Sequence, residues 1–451
     1  METFRWQRLL TALYRWKIAI LVVFCLTLLS APFIYRSTRL IGLPDIGEPF
    51  DVEMYGTIKI TDAENAFIEY DQAAPSDDPA DVEDAIRQGW SSATPTIRKW
   101  LDDNRGALEL MKAGSKKPKA LIGQPKDQSY RTMIAIRKNR ALSQLARLEA
   151  ARLQDEGDVA GSWEWYRVAF RHSRHVGMYG ATINRSTGMY FHHVTSERIV
   201  GWSVDPRIDS PLLRRALENV IFDYQLTQPY STTLRSQYFD TMNWINYLEQ
   251  KEEIADIDPH DPVAPWVLFL KNEPEVGKRV IKLTYANWLS QIDLPRHRQS
   301  RVRPGDLCLF EPVAGTPLPS EPAPAEIQHI FSNSPVSAYG VGKGPPLRAF
   351  ITHERTRQSQ LVVALAAQLY FRDKERFPRV TAEFLDGYLS EWPIDPQSDD
   401  GKPMHYRFDP AIGEVTVWSV GPNGINDGGN IDVRWNDEHF DHGVTIHVPR
   451  E

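Results

Sequence analysis

The chain has 451 residues, room for two or three domains, and 42% of them are hydrophobic, enough for a sizeable core. Its formal net charge of −7 gives no bulk attraction to nucleic acid or to an anionic membrane surface. The 13 tryptophans argue against wholesale disorder, and the two cysteines, Cys25 and Cys308, cannot build a disulfide framework or a cysteine-based zinc site.

The first element is apolar. Ile18 to Tyr35, IAILVVFCLTLLSAPFIY, carries no charge. At a rise of about 1.5 Å per residue it nearly crosses a hydrocarbon core. Pro32 lies near its end, where a lost hydrogen bond costs least. Arg5, Arg8, Arg15 and Lys17 precede it against Glu2, while Asp45, Glu48, Asp51 and Glu53 follow Arg36 and Arg39. The basic excess predicts a single-pass anchor in the inner (cytoplasmic) membrane, N-terminus inside, with the bulk of the chain periplasmic. A cleaved signal peptide is the rival, but Ser30-Ala31 has Leu28 and Leu29 before it, a poor cleavage context. FRWQRLLTALYRWK, with Phe4, Trp6, Tyr14 and Trp16 among arginines, suits a headgroup-level helix or a plain basic flank.

Residues 41–310 read as a mainly α-helical extracytoplasmic domain. TDAENAFIEYDQA starts with a cap at Thr61 or Asp62 and puts Ala66, Phe67 and Tyr70 on one face. TPTIRKWLDDNRGALELMKAG predicts one helix, capped by Thr94 or Thr96, striped by Trp100, Leu101, Leu108 and Met111, and ended at Gly114. From Arg131 onward two helices are separated by a turn at Glu156-Gly157-Asp158. Leu142, Leu145, Leu148 and Ala151 oppose Trp163, Tyr166, Ala169 and Phe170. This layout resembles a tetratricopeptide-type hairpin, but no fixed period of about 34 residues repeats it. Asp209 or Ser210 caps a further helix with Pro211 in its first turn, and TLRSQYFDTMNWINYLEQ supplies another.

His172, His175, His192 and His193 invite a metal reading. No third ligand or metalloprotease motif accompanies them, so helix-surface or helix-interface histidines are expected. No phosphate loop, dinucleotide motif, serine-nucleophile elbow or kinase motif occurs. The acids of ADIDPHD, Asp256 to Asp261, read as a solvated turn. RHRQSRVR, Arg296 to Arg303, reads as an exposed loop that balances the acidic chain. EPVAGTPLPSEPAPAE opens a proline-rich linker, residues 311–346.

Residues 347–451 combine a helix with a small antiparallel sheet. Leu361, Val362, Leu365 and Leu369 stripe the helix His353 to Pro378, and Thr381 caps a short helix after it. Met404 to Phe408 and Glu414 to Val420 alternate as strands around a turn at Asp409 to Gly413. Val444, Ile446 and Val448 alternate as a last strand. The fold class expected is therefore α+β: an anchor helix, a helical middle and a C-terminal helix-plus-sheet segment.

The order Tyr370, Asp373, Arg376-Phe377-Pro378, Asp395-Pro396, Gly401-Lys402-Pro403, Tyr406 and Val417-Trp418-Ser419-Val420-Gly421-Pro422-Asn423-Gly424 resembles the globular part of the major pseudopilin of type II secretion systems. It is similar too to pseudopilin-like C-terminal modules of large envelope proteins from planctomycete-type bacteria. The likeness covers about the last 95 residues. It implies a calcium-binding loop after the second strand, where Asn423, Asn426, Asp427 and Asp432 offer hard oxygens and the glycines permit tight turns. A glycine-rich loop ordered by Asx turns without an ion is the alternative. The chain departs from the pilin pattern: its apolar span lies far upstream, and no pilin-type processing site precedes either helix. In NDEHFDHGVTIHVPRE, His439, Asp441 and His442 suggest a transition metal, against an ordinary final strand.

These features predict an envelope interaction or scaffolding protein with a protein partner and no recognisable catalytic motif. The alternatives are a hydrolase acting on wall or polysaccharide through carboxylates such as Glu164 or Asp256, and an accessory of a type II secretion or pilus-like system.

Overall fold

The computed structural model describes residues 2–127, 131–250, 265–312, 322–334, 347–431 and 441–447. Contacts divide the chain into two units whose bounds differ from the expected domains. One comprises Met1–Pro49, Thr241–Ser290 and Ser300–Gly344; the other comprises Phe50–Asp240, Gln291–Gln299 and Pro345–Glu451.

The first unit carries the long apolar helix Glu2–Thr38. Among the described residues it alone is long and apolar enough to cross a membrane, and none of its apolar window is buried. This suits a single-pass anchor or a signal sequence. Its hydroxyls bond back to the helix: Thr27 to the Val23 carbonyl at 2.8 Å, and Ser30 to that of Thr27 at 3.1 Å. That satisfies both hydroxyls within the helix itself. A second core forms on the helix Glu273–Gln291, where Val276, Val280, Ile281, Tyr285 and Trp288 are buried. The Asn287 side chain clamps residue 310, donating to its carbonyl and accepting from its N–H at 2.9 and 2.8 Å. The Trp288 indole donates to the Leu307 carbonyl. The expected linker is partly folded here: Pro324–Ser332 is an α-helix with Ile327 and Phe331 buried. Pro324 starts a helix because its missing N–H falls in the first turn, where no intrahelical partner exists anyway. Residues 313–321 and 335–346 of that linker lie outside the described residues.

The second unit is a stack of helices closed by a sheet. The hairpin Arg131–Asp155 and Val159–Val176 forms as expected. Gly157 supplies the left-handed turn at φ +94°, and Asp158 caps the second helix by accepting from Gly161 N–H at 2.8 Å. Thr182–Ser203 and Ser210–Asp223 follow, the latter capped by Asp209. The helix expected over residues 94–114 is instead two, Pro95–Asp103 and Arg105–Ser115. Asn104 breaks it: its amide donates to the Trp100 carbonyl and its oxygen accepts from Ser76 N–H. Gly114 does not end the second helix. It makes room, since a Cβ there would lie 2.6 Å from the Tyr70 ring. The helix expected from Thr61 reduces to Phe67–Gln72, although Ala66, Phe67 and Tyr70 are buried as the pattern requires.

The C-terminal segment opens with the long helix Leu347–Lys374. Three antiparallel strands follow in the order β1 (His405–Asp409), β2 (Glu414–Ser419) and β3 (His442–His447). Thr381 caps nothing; it is the first residue of a 3-10 turn, Thr381–Leu385. Tyr406, Phe408, Val415, Val417 and Ile446 turn one sheet face inward. Leu361, Leu365 and Leu369 of the long helix join the same core as Leu142, Leu145, Trp163 and Phe170 of the hairpin. The helix-plus-sheet segment thus shares its core with the hairpins. Glu354 completes the join, buried between Arg174 and Arg185 at 2.8 and 2.6 Å. Burial opposes its charge, but the two guanidinium groups outweigh it and hold the carboxyl below its usual range.

Candidate functional site

The sheet's outer face and the Thr182–Ser203 helix enclose a cleft of about 580 Å³. His193, Ser196, Glu197 and Val200 form its helical wall, spaced to share one helix face. Arg357, Gln360 and Leu361 reach it from the long helix. Arg407, Glu414 and Thr416 reach it from β1 and β2, and Gly443, Val444 and Thr445 from β3. Successive strand side chains point to opposite faces, so three consecutive lining residues mean that the edge of β3 itself borders the cleft. Among the described strands β3 pairs with β2 alone. Two buried glutamines pin β3 to the long helix, Gln360 donating to the His442 carbonyl at 2.8 Å and Gln368 to that of His447 at 3.0 Å. A second cavity of about 520 Å³ shares Val200 and Thr445 and continues along β3 to His447.

The cleft's charges are ordered. Arg357 donates from Nη1 to His193 Nδ1, which places the imidazole proton on Nε2, 3.4 Å from a Glu197 oxygen. Burial and the neighbouring Arg357 hold His193 down to about 3, so it stays neutral at physiological pH. Burial lowers Arg357 only to about 10, so it remains a cation. On the opposite side Arg407 is exposed; it lies 5.5 Å over the Trp418 ring and donates to the Gly428 carbonyl at 2.8 Å. Glu414 pairs with His447 at 2.7 Å. Two guanidinium groups and two carboxylates, those of Glu197 and Glu414, therefore line the cleft beside the β3 edge, a setting in which an anionic group would have to be placed against the arginines.

The glycine-rich stretch after β2 helps to wall this cleft, through Gly429 and Ile431. Gly429, at φ +82°, lets the loop close on Trp418 and Arg407: a Cβ there would meet both at 3.3–3.4 Å. Asn426 Oδ1 accepts from Trp418 Nε1 and Gly428 N–H, both at 3.0 Å. Asn423 Oδ1 accepts from Ile425 N–H at 2.9 Å, and its amide lies 3.5 Å from Asp427. Asp432, the remaining candidate calcium ligand, lies outside the described residues. The loop's ends are held by two acids with other roles in the sequence reading. Buried Asp395 accepts from Ser419 Oγ and Val420 N–H at 2.6 and 2.9 Å. Buried Asp441 accepts from the N–H groups of Asp427 and Gly429 at 3.2 and 2.8 Å. Asn426 and Asp441 thus already serve as acceptors within the protein.

The other candidates are dispersed. His172 meets Asn139 at 3.1 Å, His175 meets the Tyr70 hydroxyl at 2.8 Å, and His192 meets that of Tyr224 at 3.0 Å, all within the helical core rather than on its surface. Burial pushes His172 and His175 down to about 3 and lowers His192 strongly. His442 is buried against Gln397 and His353, while His439 lies outside the described residues. Among the described residues no group of three or more His, Cys, Asp or Glu side chains is placed to hold a metal. Glu164 is exposed, and Asp256 lies outside the described residues. Arg296 pairs with Asp399 at 2.7 Å, so the basic stretch is partly neutralised. Arg357 and Arg407 went unremarked in the sequence. Strand alternation marks Arg407 as outward between Tyr406 and Phe408, but nothing in the linear pattern marks Arg357.

Compared with protein-family models, curated proteins and solved structures, the chain matches none.

Proposed function

We propose that this chain is a membrane-anchored scaffold of the cell envelope, its bulk outside the cytoplasmic membrane, which binds an extended acidic segment of a protein partner along β3. The observation that carries the reading is the cleft: Gly443, Val444 and Thr445 of the β3 edge line it between Arg357 and Arg407. Main-chain pairing would supply affinity, and the two arginines would select carboxylate-bearing side chains. The basic residues before Ile18 support the orientation, and the residue order from Tyr370 to Gly424 supports a pilin-like ancestry for the helix-plus-sheet segment.

The test is selection from a library of extended peptides against the full chain in nanodiscs. Acidic sequences should be enriched, and their binding should weaken as salt rises. Arg407→Glu and Arg357→Glu should each weaken it about tenfold or more, because like charges then face each other. A melting curve confirms that each variant is folded. Binding indifferent to both reversals and to salt would overturn the reading. A C-terminal reporter active only outside the cytoplasm should work, and one active only inside should fail.

A further inference from the structure

A short helix, Pro265–Lys271, packs on the end of the anchor helix within the same unit. Its sequence is PWVLFLK, and Leu268 is its buried contact. Trp266 and Phe269, one helical turn apart, are 65% and 48% exposed. Two large aromatic side chains exposed to this degree are an unusual load of apolar surface for a helix this short.

The neighbourhood indicates what covers them. Phe269 meets Phe33 edge-on at 6.3 Å, and Phe33, Ile34 and Tyr35 are themselves exposed at the end of the apolar stretch. The Arg36 guanidinium lies 4.6 Å over the Phe269 ring and donates to the Phe269 carbonyl at 2.7 Å. Arg39 donates to the Lys271 carbonyl at 3.3 Å and pairs with Glu273 at 3.5 Å. The last carbonyls of the short helix are thus satisfied by basic residues just beyond the span. Aromatic rings level with the end of a hydrocarbon-length segment, next to Arg36, Arg39 and Lys271, are the composition of a membrane interface.

We infer that Pro265–Lys271 is a second membrane contact, an interfacial helix that lays Trp266 and Phe269 into the outer boundary of the bilayer beside the span. This rests on the reading of Glu2–Thr38 as an inserted anchor. The covering surface is lipid, because the exposed face continues the exposed face of the anchor. The short helix would fix the rotation and depth of the anchor, which a lone helix leaves free.

The experiment uses the full chain in phosphatidylcholine–phosphatidylglycerol vesicles, with Cys25→Ser and Cys308→Ser as background. A nitroxide is attached in turn at Leu28→Cys, Trp266→Cys, Phe269→Cys and Arg301→Cys, all of them exposed positions. Accessibility is read as relaxation by oxygen against a water-soluble nickel chelate. Labels at 28, 266 and 269 should show an oxygen-to-nickel ratio several-fold above that at 301. A lipid-like label at 28 with water-like labels at 266 and 269 overturns the interfacial helix and leaves the anchor standing. Spin–spin broadening at 266 or 269 would make a second copy the occupant and overturn it too. A water-like label at 28 overturns the anchor and this inference with it.

Discussion

Two long apolar-rich helices, Glu2–Thr38 and Leu347–Lys374, differ in what the protein packs around them. The first exposes Ile20, Leu21, Val23, Phe24, Leu28 and Leu29. The second buries Leu361, Val363, Leu365, Ala366 and Leu369 almost completely. The second also carries charge, and it places that charge where partners wait: Glu354 between two arginines, and Arg372 donating to the Asp205 and Ile208 carbonyls at 2.7 and 3.1 Å. The first has no charge to place between Ile18 and Tyr35. An uncharged apolar helix is compatible with any apolar surroundings, lipid or protein, whereas one with buried ions needs protein partners around it.

Acid should separate the two helices most strongly. His172, His175 and His192 are buried in the unit of the long helix with pKa values lowered by burial, so unfolding takes up protons below about 6.5. Stability there should be complete above that pH and fall by about 2 kcal/mol for each of His172 and His175 at pH 5, with His192 adding in the same direction. Below about 4.3 the protonation of Glu354 removes more, because its folded pKa is the lower one. Thermal melting from pH 7.5 to 4 should show this loss while vesicle association persists. A flat melting temperature across that range would contradict the burial of the histidines.

Glu354→Ala should cost about 3–5 kcal/mol in denaturant unfolding, since it leaves Arg174 and Arg185 buried without their anion. Membrane retention should not change. In the anchor, Val23→Arg should have the reverse effect: insertion weakens by about 3 kcal/mol, seen as extraction by carbonate. The melting of the hairpin unit should stay as it was. If Val23→Arg lowered that melting, the anchor would be a core helix rather than a span.

The smallest expected effect concerns the loop on the cleft. Asp441→Asn should cost about 1.5 kcal/mol, because charge-assisted bonds to the Asp427 and Gly429 N–H groups become neutral ones. Millimolar calcium should leave the melting temperature unchanged, as expected of a loop held by turn bonds. A rise abolished by Asp427→Asn with Asp432→Asn would instead establish those acids as ion ligands.

Local signals in the chain were enough for the long apolar N-terminal helix, the hairpin around Gly157, the Asp209 cap and the two strands about Gly413. Each follows from interactions within a few residues: an uncharged apolar run, a left-handed turn, a carboxylate bonding an N–H three residues on, an alternation of faces. Tertiary structure alone decided that Leu347–Lys374 shares the hairpins' core, that Pro324–Ser332 folds within a proline-rich stretch, and that Arg357 meets His193 beside β3. Those outcomes depend on apolar and charged groups far apart in sequence finding each other. Periodicity shows that a face will be buried; only the complementary face, supplied by distant residues, determines against what.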